Sequence, residues 1–396
     1  MALEGTTSSG PEKTGYTDPQ KATVVGEGIV STLIATRKPS ELFGDEGRPL
    51  DLNKLHEVMV TRIDPSKVSL VLTTNQGTPD ALMRHLHDCK ASYGAIINGG
   101  FYALDEGFYH LKSNQPIGLH RFTYNYSQAH HKDVIKRNFD NTDHYFKYSD
   151  DQLSKSYEGY SKKGIPSELH LKTQTPNSVR ELYGCFRITS GGEIDIQKLG
   201  DFTDETFKDY LKEAQYLLSS GPFLVTGGEV AITADDIQAD PRFQFKQIYD
   251  RFGSHPGSVP PGTFYHADQL NPRSAIGITA EGELLMVTVK GEEDPSHRDG
   301  MTLDQFALLM KLLGAHTALN LDGGYSSCQG FFDKTNPQMF TPQFIKKPGR
   351  EKLLPCAIVA KEKTDILPLN HHRDPLTDRG PKVENVKRKF SFIDGT

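Results

Sequence analysis

TLDQFALLMKLLGAHTALNLDGGYSS, residues Thr302–Ser327, carries the order of elements that decides the fold. Thr302 followed three residues later by Gln305 fits a capping box and starts a helix. Phe306, Leu309, Met310 and Leu313 then recur at helical spacing, and Gly314 stands where such a helix stops. The apolar stretch that follows, Thr317–Leu321, predicts a buried strand. Leu284–Val289 predicts another before the helix. Strand, helix and strand thus lead straight into Asp322-Gly323-Gly324, a carboxylate and two glycines at the end of a buried strand.

Outward from this unit, strand patterns recur at Val24–Ile34, Val58–Ile63, Val68–Thr73, Gly94–Ile97, Cys185–Thr189, Pro222–Val225 and Ala275–Ile278. Helical signals are fewer: Leu82 with Leu86, and a stripe of Phe207, Leu211, Ala214 and Leu218. Many strands and few helices predict an α+β fold, a mixed β-sheet core with a few packed helices and polar insertions over one end. One domain is expected over 22–362, after a flexible segment at 1–21 and before a C-terminal tail of alternating charge at 363–396. Within the domain, residues 120–179 exchange apolar periodicity for Tyr, His, Lys, Asp and Ser and predict an inserted lobe. A second irregular stretch, Asp235–Asn271, is rich in Pro and Gly.

Bulk properties exclude several classes. With 36% hydrophobic and 24% charged residues the 396-residue chain has the means to bury a sizeable core. A net charge of -6 argues against a protein that binds nucleic acid by neutralising phosphates over a broad surface. Cys89, Cys185, Cys328 and Cys356 lie far apart and show no zinc or disulfide spacing. No run suits a membrane span and Met1–Lys21 holds no apolar signal core, so the expected location is the cytoplasm, or outside it by a route without a conventional N-terminal signal.

The Asp322 motif has two echoes, Asn98-Gly99-Gly100 and Thr226-Gly227-Gly228, each after an apolar strand. Such dipeptides are common hairpin turns. A carboxylate followed by two glycines and then Ser326 and Ser327 is costly to bury unless something polar is bound there. The amides of Gly323 and Gly324 can form an anion nest, to which the two serines add donors; a phosphate fits. Around Asn98, an amide and the rings that follow, Tyr102 among them, suit a sugar's hydroxyls and its apolar face. Arg273, just before a strand, offers a planar fork for phosphate oxygens.

Taken in order, Asn98–Tyr102, the segment around Gly118, Ser220–Gly228, Pro272–Gly277, the helix from Thr302, Leu319–Ser327 and a closing strand at Leu354–Val359 resemble the phosphodiester glycosidase family. The resemblance implies a hydrolase acting on a sugar phosphodiester, carried on a small or a larger group. The chain departs from the family pattern at Tyr102, Ser274, Tyr325 and the Lys290-Gly291-Glu292 sequence, and the last two alter the predicted pocket.

The expected catalytic set is Asp322, Arg273 and Asn98. Gly99, Gly100, Tyr102, Ser220, Gly323, Gly324, Ser326 and Ser327 are expected to bind substrate, and Glu292, Glu293 or Asp299 to supply a second carboxylate. In that reading Arg273, the glycine amides and a serine hold the departing phosphate, while Asp322 stabilises an oxocarbenium-like centre or activates water. No cofactor is required; a divalent cation shared by Asp322 and a phosphate is compatible with the sequence, but no motif demands one. Two other functions stay open. A phosphodiesterase attacking phosphorus would show clustered metal ligands, which His130-His131 and His371-His372 do not resemble. An inactive sugar-phosphate binding protein would keep the pocket without turnover.

Overall fold

The structure is a computed structural model that describes residues 22–36, 42, 56–73, 91–101, 120–122, 139–140, 184–198, 201–240, 243–244, 264, 266–291, 299–333, 336–340, 354 and 356–363. The chain divides into two units, Met1–Lys363 and Thr364–Thr396, and all of these residues lie in the first. In chain order the elements are β1 (Ala22–Gly26), β2 (Ile29–Thr36), β3 (His56–Ile63), β4 (Val68–Thr73), β5 (Tyr93–Asn98), β6 (His120–Phe122), β7 (Phe139–Asp140), β8 (Gly184–Thr189) and β9 (Ile194–Lys198). Helix α1 (Asp204–Glu213), β10 (Ala214–Ser220), β11 (Phe223–Thr226), β12 (Glu229–Val230) and α2 (Ala234–Ala239) follow. The last group is β13 (Arg273–Thr279), β14 (Leu284–Val289), α3 (Leu303–Leu312), β15 (Ala315–Asn320), β16 (Gln329–Asp333), β17 (Asn336–Phe340) and β18 (Ala357–Glu362).

The strands form an eight-stranded sheet, β1-β2-β3-β14-β13-β15-β11-β12, and two five-stranded sheets, β17-β16-β5-β18-β4 and β7-β6-β10-β8-β9. The α+β class holds, with few helices among the described residues. β14 and β15 are each antiparallel to β13, which lies between them, so they run the same way and α3 is their crossover.

Burial explains the continuous apolar runs. Leu285, Val287 and Val289 of β14 share one core with Phe306, Leu309 and Met310 of α3. Leu284 and Met286 alternate into a second core with Ile97, Ile358, Phe186 and Leu218 of the two smaller sheets. The large sheet is therefore apolar on both faces, which removes the polar alternation of a half-exposed strand. Helix α3 begins as its sequence requires, with the Thr302 N–H donating to Gln305 Oε1 at 3.0 Å. It ends at Gly314, whose φ of 91° is left-handed, and Arg62 donates to the Leu313 carbonyl at 2.6 Å.

Two expectations change. The run Val24–Ile34 is not one strand but a hairpin turning at Glu27-Gly28, with Gly28 at φ 77°. The stripe Phe207 to Leu218 is not one helix: α1 stops at Glu213, and Ala214 and Leu218 belong to β10. β10 pairs with β8 from Ala214↔Thr189 to Ser220↔Gly184 and buries Leu217 in one core and Leu218 in the other, so pairing overrides the helical spacing. At the start of the stretch expected to form an inserted lobe, His120–Phe122 is strand β6 beside β10. Leu82 and Leu86 lie outside the described residues.

Registers gather the loops. Arg273 pairs with Val289, Ala275 with Asn320, Ser220 with Gly184, Gln329 with Ile97 and Ala357 with Asn98. The C-terminal ends of β5, β10, β14 and β15 thus stand beside the N-terminal ends of β8, β13, β16 and β18.

Candidate active site

At this end the Asn-Gly-Gly and Asp-Gly-Gly segments lock together. The Asp322 N–H donates to the Gly99 carbonyl at 3.1 Å. Asn98, 1% exposed, donates through Nδ2 to the carbonyls of Asp322 at 2.8 Å and Gly99 at 3.1 Å, and its Oδ1 accepts the Cys328 N–H at 3.0 Å. Both amide hydrogens of Asn98 are directed at backbone. It ties the two loops together, where the sequence suggested that it would hold a sugar hydroxyl.

Gly99 and Gly100 are required by close approach. A Cβ on Gly99 would overlap Cys356 Sγ, and one on Gly100 would lie 2.8 Å from the Ser219 carbonyl and 3.3 Å from Ser220 Oγ. All three sheet ends meet here. Thr226-Gly227-Gly228, in contrast, is the hairpin between β11 and β12, with φ of 61° and 81° at its glycines.

The nest expected from Gly323 and Gly324 is not formed. The Gly324 N–H donates to the Pro272 carbonyl at 2.9 Å, and the Gly323 N–H to Asp322 Oδ1 at 3.1 Å. Gly324 at φ 59° opens a short 3-10 turn, Gly324–Ser326, whose N–H groups at Ser326 and Ser327 return to the Gly323 and Gly324 carbonyls.

Arg273 is likewise turned inward. Its guanidinium, in a residue 6% exposed, donates from Nε to Met301 O at 2.9 Å and from Nη2 to the carbonyls of His266 at 2.6 Å and Gln269 at 2.8 Å. A charged fork satisfied by three carbonyls pins the 266–271 loop and Met301 to β13. That fixes Pro272, the residue that receives Gly324. Asp299 caps the Gly300 N–H at 2.8 Å, and Gly300, φ 114°, packs closely on the Asn271 backbone, so Asp299 stands one loop away from Asp322. Tyr102, Glu292 and Glu293 lie outside the described residues.

Polar atoms without protein hydrogen-bond partners collect around these loops. Ser219, Ser220 and Ser327, each at most 1% exposed, leave Oγ unsatisfied, as Asn320 leaves Oδ1. Asn320 is fixed, its Nδ2 donating to Gly221 O at 2.9 Å. Native interiors hold few such atoms, and each costs about 1–3 kcal/mol. Ser219 and Asn320 were not singled out from the sequence; the serine doublet at a strand end was the available signal for the first. Ser326, 0% exposed, and Asp322, half-buried, complete the loop.

Burial pushes the Cys328 and Cys356 thiols up to about 12, and the Asp322 charge adds to the effect in both. Among the described residues no cluster of three or more His, Cys, Asp and Glu side chains is placed to hold a metal ion, and no helix is long and apolar enough to cross a membrane.

The class of domain is one of three antiparallel sheets whose ends converge on an Asn-Gly-Gly loop locked to an Asp-Gly-Gly loop, with Asp322 at the junction. The phosphodiester glycosidase family model matches residues 141–348, more than half of the chain, and the chain belongs to that family. No curated protein matches it. Among solved structures it is similar to the zebrafish N-acetylglucosamine-1-phosphodiester alpha-N-acetylglucosaminidase catalytic domain auto-inhibited by its pro-peptide, at 16% identity, 86% coverage of each chain and TM-score 0.48. It is also similar to a hypothetical protein from Synechocystis, at 12% identity, 86% coverage of this chain, 63% of that one and TM-score 0.41. A third similar structure is a putative exported protein of Burkholderia pseudomallei, at 12% identity, 79% and 75% coverage and TM-score 0.41.

Proposed function

We propose that the chain is a hydrolase that cleaves the bond between a sugar's anomeric carbon and the oxygen of a phosphodiester. Water adds at carbon, giving free sugar, and the phosphate leaves as a monoester of the remaining group. The observation that carries this reading is Asp322, a half-buried carboxylate whose N–H and carbonyl are both bound by the Asn98-Gly99 segment. An aspartate whose backbone is held so firmly presents its carboxylate from a fixed point, where it can stabilise an oxocarbenium-like centre or take the proton of the attacking water. The departing phosphodiester oxygen is weakly basic, so its departure needs little help from a general acid. Asn98 and Arg273 act as positioning residues, the first on the Asp322 backbone and the second through Pro272. The buried hydroxyls of Ser219, Ser220 and Ser327 suit the neutral hydroxyls of a sugar better than an anion.

A specific observation favours a second reading, a binding protein without turnover. The Gly324 amide and the described donors of Arg273, which would stabilise a departing phosphate, are directed at carbonyls. Hydrolysis in oxygen-18 water decides between the readings. Label in the sugar supports cleavage at carbon; label in the phosphate means attack at phosphorus; binding with no product supports the second reading.

A further inference from the structure

A polar chain crosses the apolar layer between the large sheet and the five-stranded sheet that holds β5, β16 and β18. Gln329 opens β16 opposite Ile97 and is fully buried. Its amide reaches out of its own sheet: Nε2 donates to Thr61 Oγ1 of β3 at 2.6 Å and to the Met286 carbonyl of β14 at 3.2 Å. Thr61, also fully buried, lies 3.0 Å through Oγ1 from Ser31 Oγ of β2. The neighbours on these faces are Ile97, Phe331, Met59, Ile63 and Met286, all members of one apolar core. Gln329 Oε1 has no hydrogen-bond partner. An unpaired buried acceptor costs stability, and an apolar side chain of similar length would fill the space without that cost. What the amide adds is direction, because apolar contact between two sheets is non-directional and leaves their relative sliding unspecified, whereas a buried hydrogen bond fixes it.

We propose that Gln329 is a positioning residue that sets the register between the two sheets whose ends form the candidate site. The inference rests on the glycosidase reading for its effect on turnover. Asp322 stands two residues beyond β15 of the large sheet, whereas Asn98 and Gly99, which bind its backbone, end β5 of the other sheet. Gln329 pairs with Ile97, the residue before Asn98. Its acceptor Met286 lies in one cross-strand row with Ile276 and Leu319, and Leu319 is three residues before Asp322. The Gln329 amide therefore joins the two arms of the site close to the end of each. Sliding of one sheet on the other would carry Asp322 past the Asn98-Gly99 segment and displace the carboxylate from the reacting centre.

Gln329→Met removes the amide at similar volume and leaves Thr61 beside Ser31. Sugar release, urea denaturation and amide hydrogen exchange are measured on wild type, Gln329→Met, Thr61→Val and the double variant. Gln329→Met is expected to lower kcat roughly ten- to hundredfold with KM little changed. Its urea midpoint is expected at the wild-type value or above, since an unpaired acceptor is lost. Exchange of the Asp322 N–H, which bonds across to Gly99, is expected to quicken while the ladder amides of the large sheet keep their protection. Thr61→Val removes the same bond, so it is expected to lower kcat similarly and the double variant to fall no further. An unchanged kcat in Gln329→Met, a midpoint that falls in step with kcat, or additive losses in the double variant overturns the proposal. If Thr61→Val does not fold, kcat and exchange in Gln329→Met decide alone. If the wild type releases no sugar, the catalytic reading fails and exchange decides the register role: a quicker Asp322 N–H in Gln329→Met upholds it, and an unchanged one overturns it.

Discussion

Replacing Asn98 by alanine removes the side chain that holds the two glycine loops together. The change deletes three hydrogen bonds, two donated to the carbonyls of Gly99 and Asp322 and one accepted from the Cys328 N–H, at a site 1% exposed. At about 1 kcal/mol net for each bond the loss is about 3 kcal/mol, more if the freed backbone groups stay dry. Asn98→Asp keeps an acceptor for Cys328 but has no hydrogens for the two carbonyls and brings a second charge towards Asp322, so it is expected to lose at least as much. Urea denaturation measures the loss as a lower midpoint at unchanged slope. Sugar release by the folded fraction is expected to show a lower kcat with KM little changed, because the side chain positions Asp322 and does not touch substrate. An alanine variant within about 1 kcal/mol of wild type would refute the reasoning.

Other outcomes follow from the same geometry. Arg273→Lys places one ammonium where a fork reaches three carbonyls, and it is expected to lose about 3 kcal/mol of stability in the same urea assay. Ser327→Ala removes a buried hydroxyl with no protein partner, so thermal unfolding is expected at the wild-type temperature or above it, while kcat/KM falls. Cys328 and Cys356 are held near 12 against an ordinary thiol value of 9.0, so folding keeps them protonated. Their contribution to stability is complete below about pH 9 and is lost as pH rises towards 12, because the unfolded chain ionises first. Alkylation at pH 8 is expected to spare both until the protein is unfolded.

Much of the architecture was legible because it is written in local rules. Thr302, Gln305 and Gly314 bound α3 as capping chemistry demands, and the near-continuous apolar run of β14 is that of a strand buried on both faces, as are Ala318 and Leu319 in β15. β10 was not legible, since Ala214 and Leu218 carry helical spacing and only pairing with β8 makes them a strand. At the site, the position of Asp322 at a strand end could be read, but the partners of Arg273 and Asn98 could not. Those partners are carbonyls of His266, Gln269, Met301, Gly99 and Asp322, which any residue type supplies equally. The three Xaa-Gly-Gly motifs look alike in sequence. The structure separates one hairpin from two loops whose glycines serve a close approach and a turn.

The most direct test of the catalytic reading is release of free sugar from a panel of sugar-1-phosphodiesters, nucleotide sugars included, by wild type and Asp322→Asn. The expected result is release by the wild type and its loss in a variant that unfolds at the wild-type midpoint. Equal release by both proteins would contradict the role of Asp322, and no release by either, with both stabilised by the same ligands, would make the chain a binding protein.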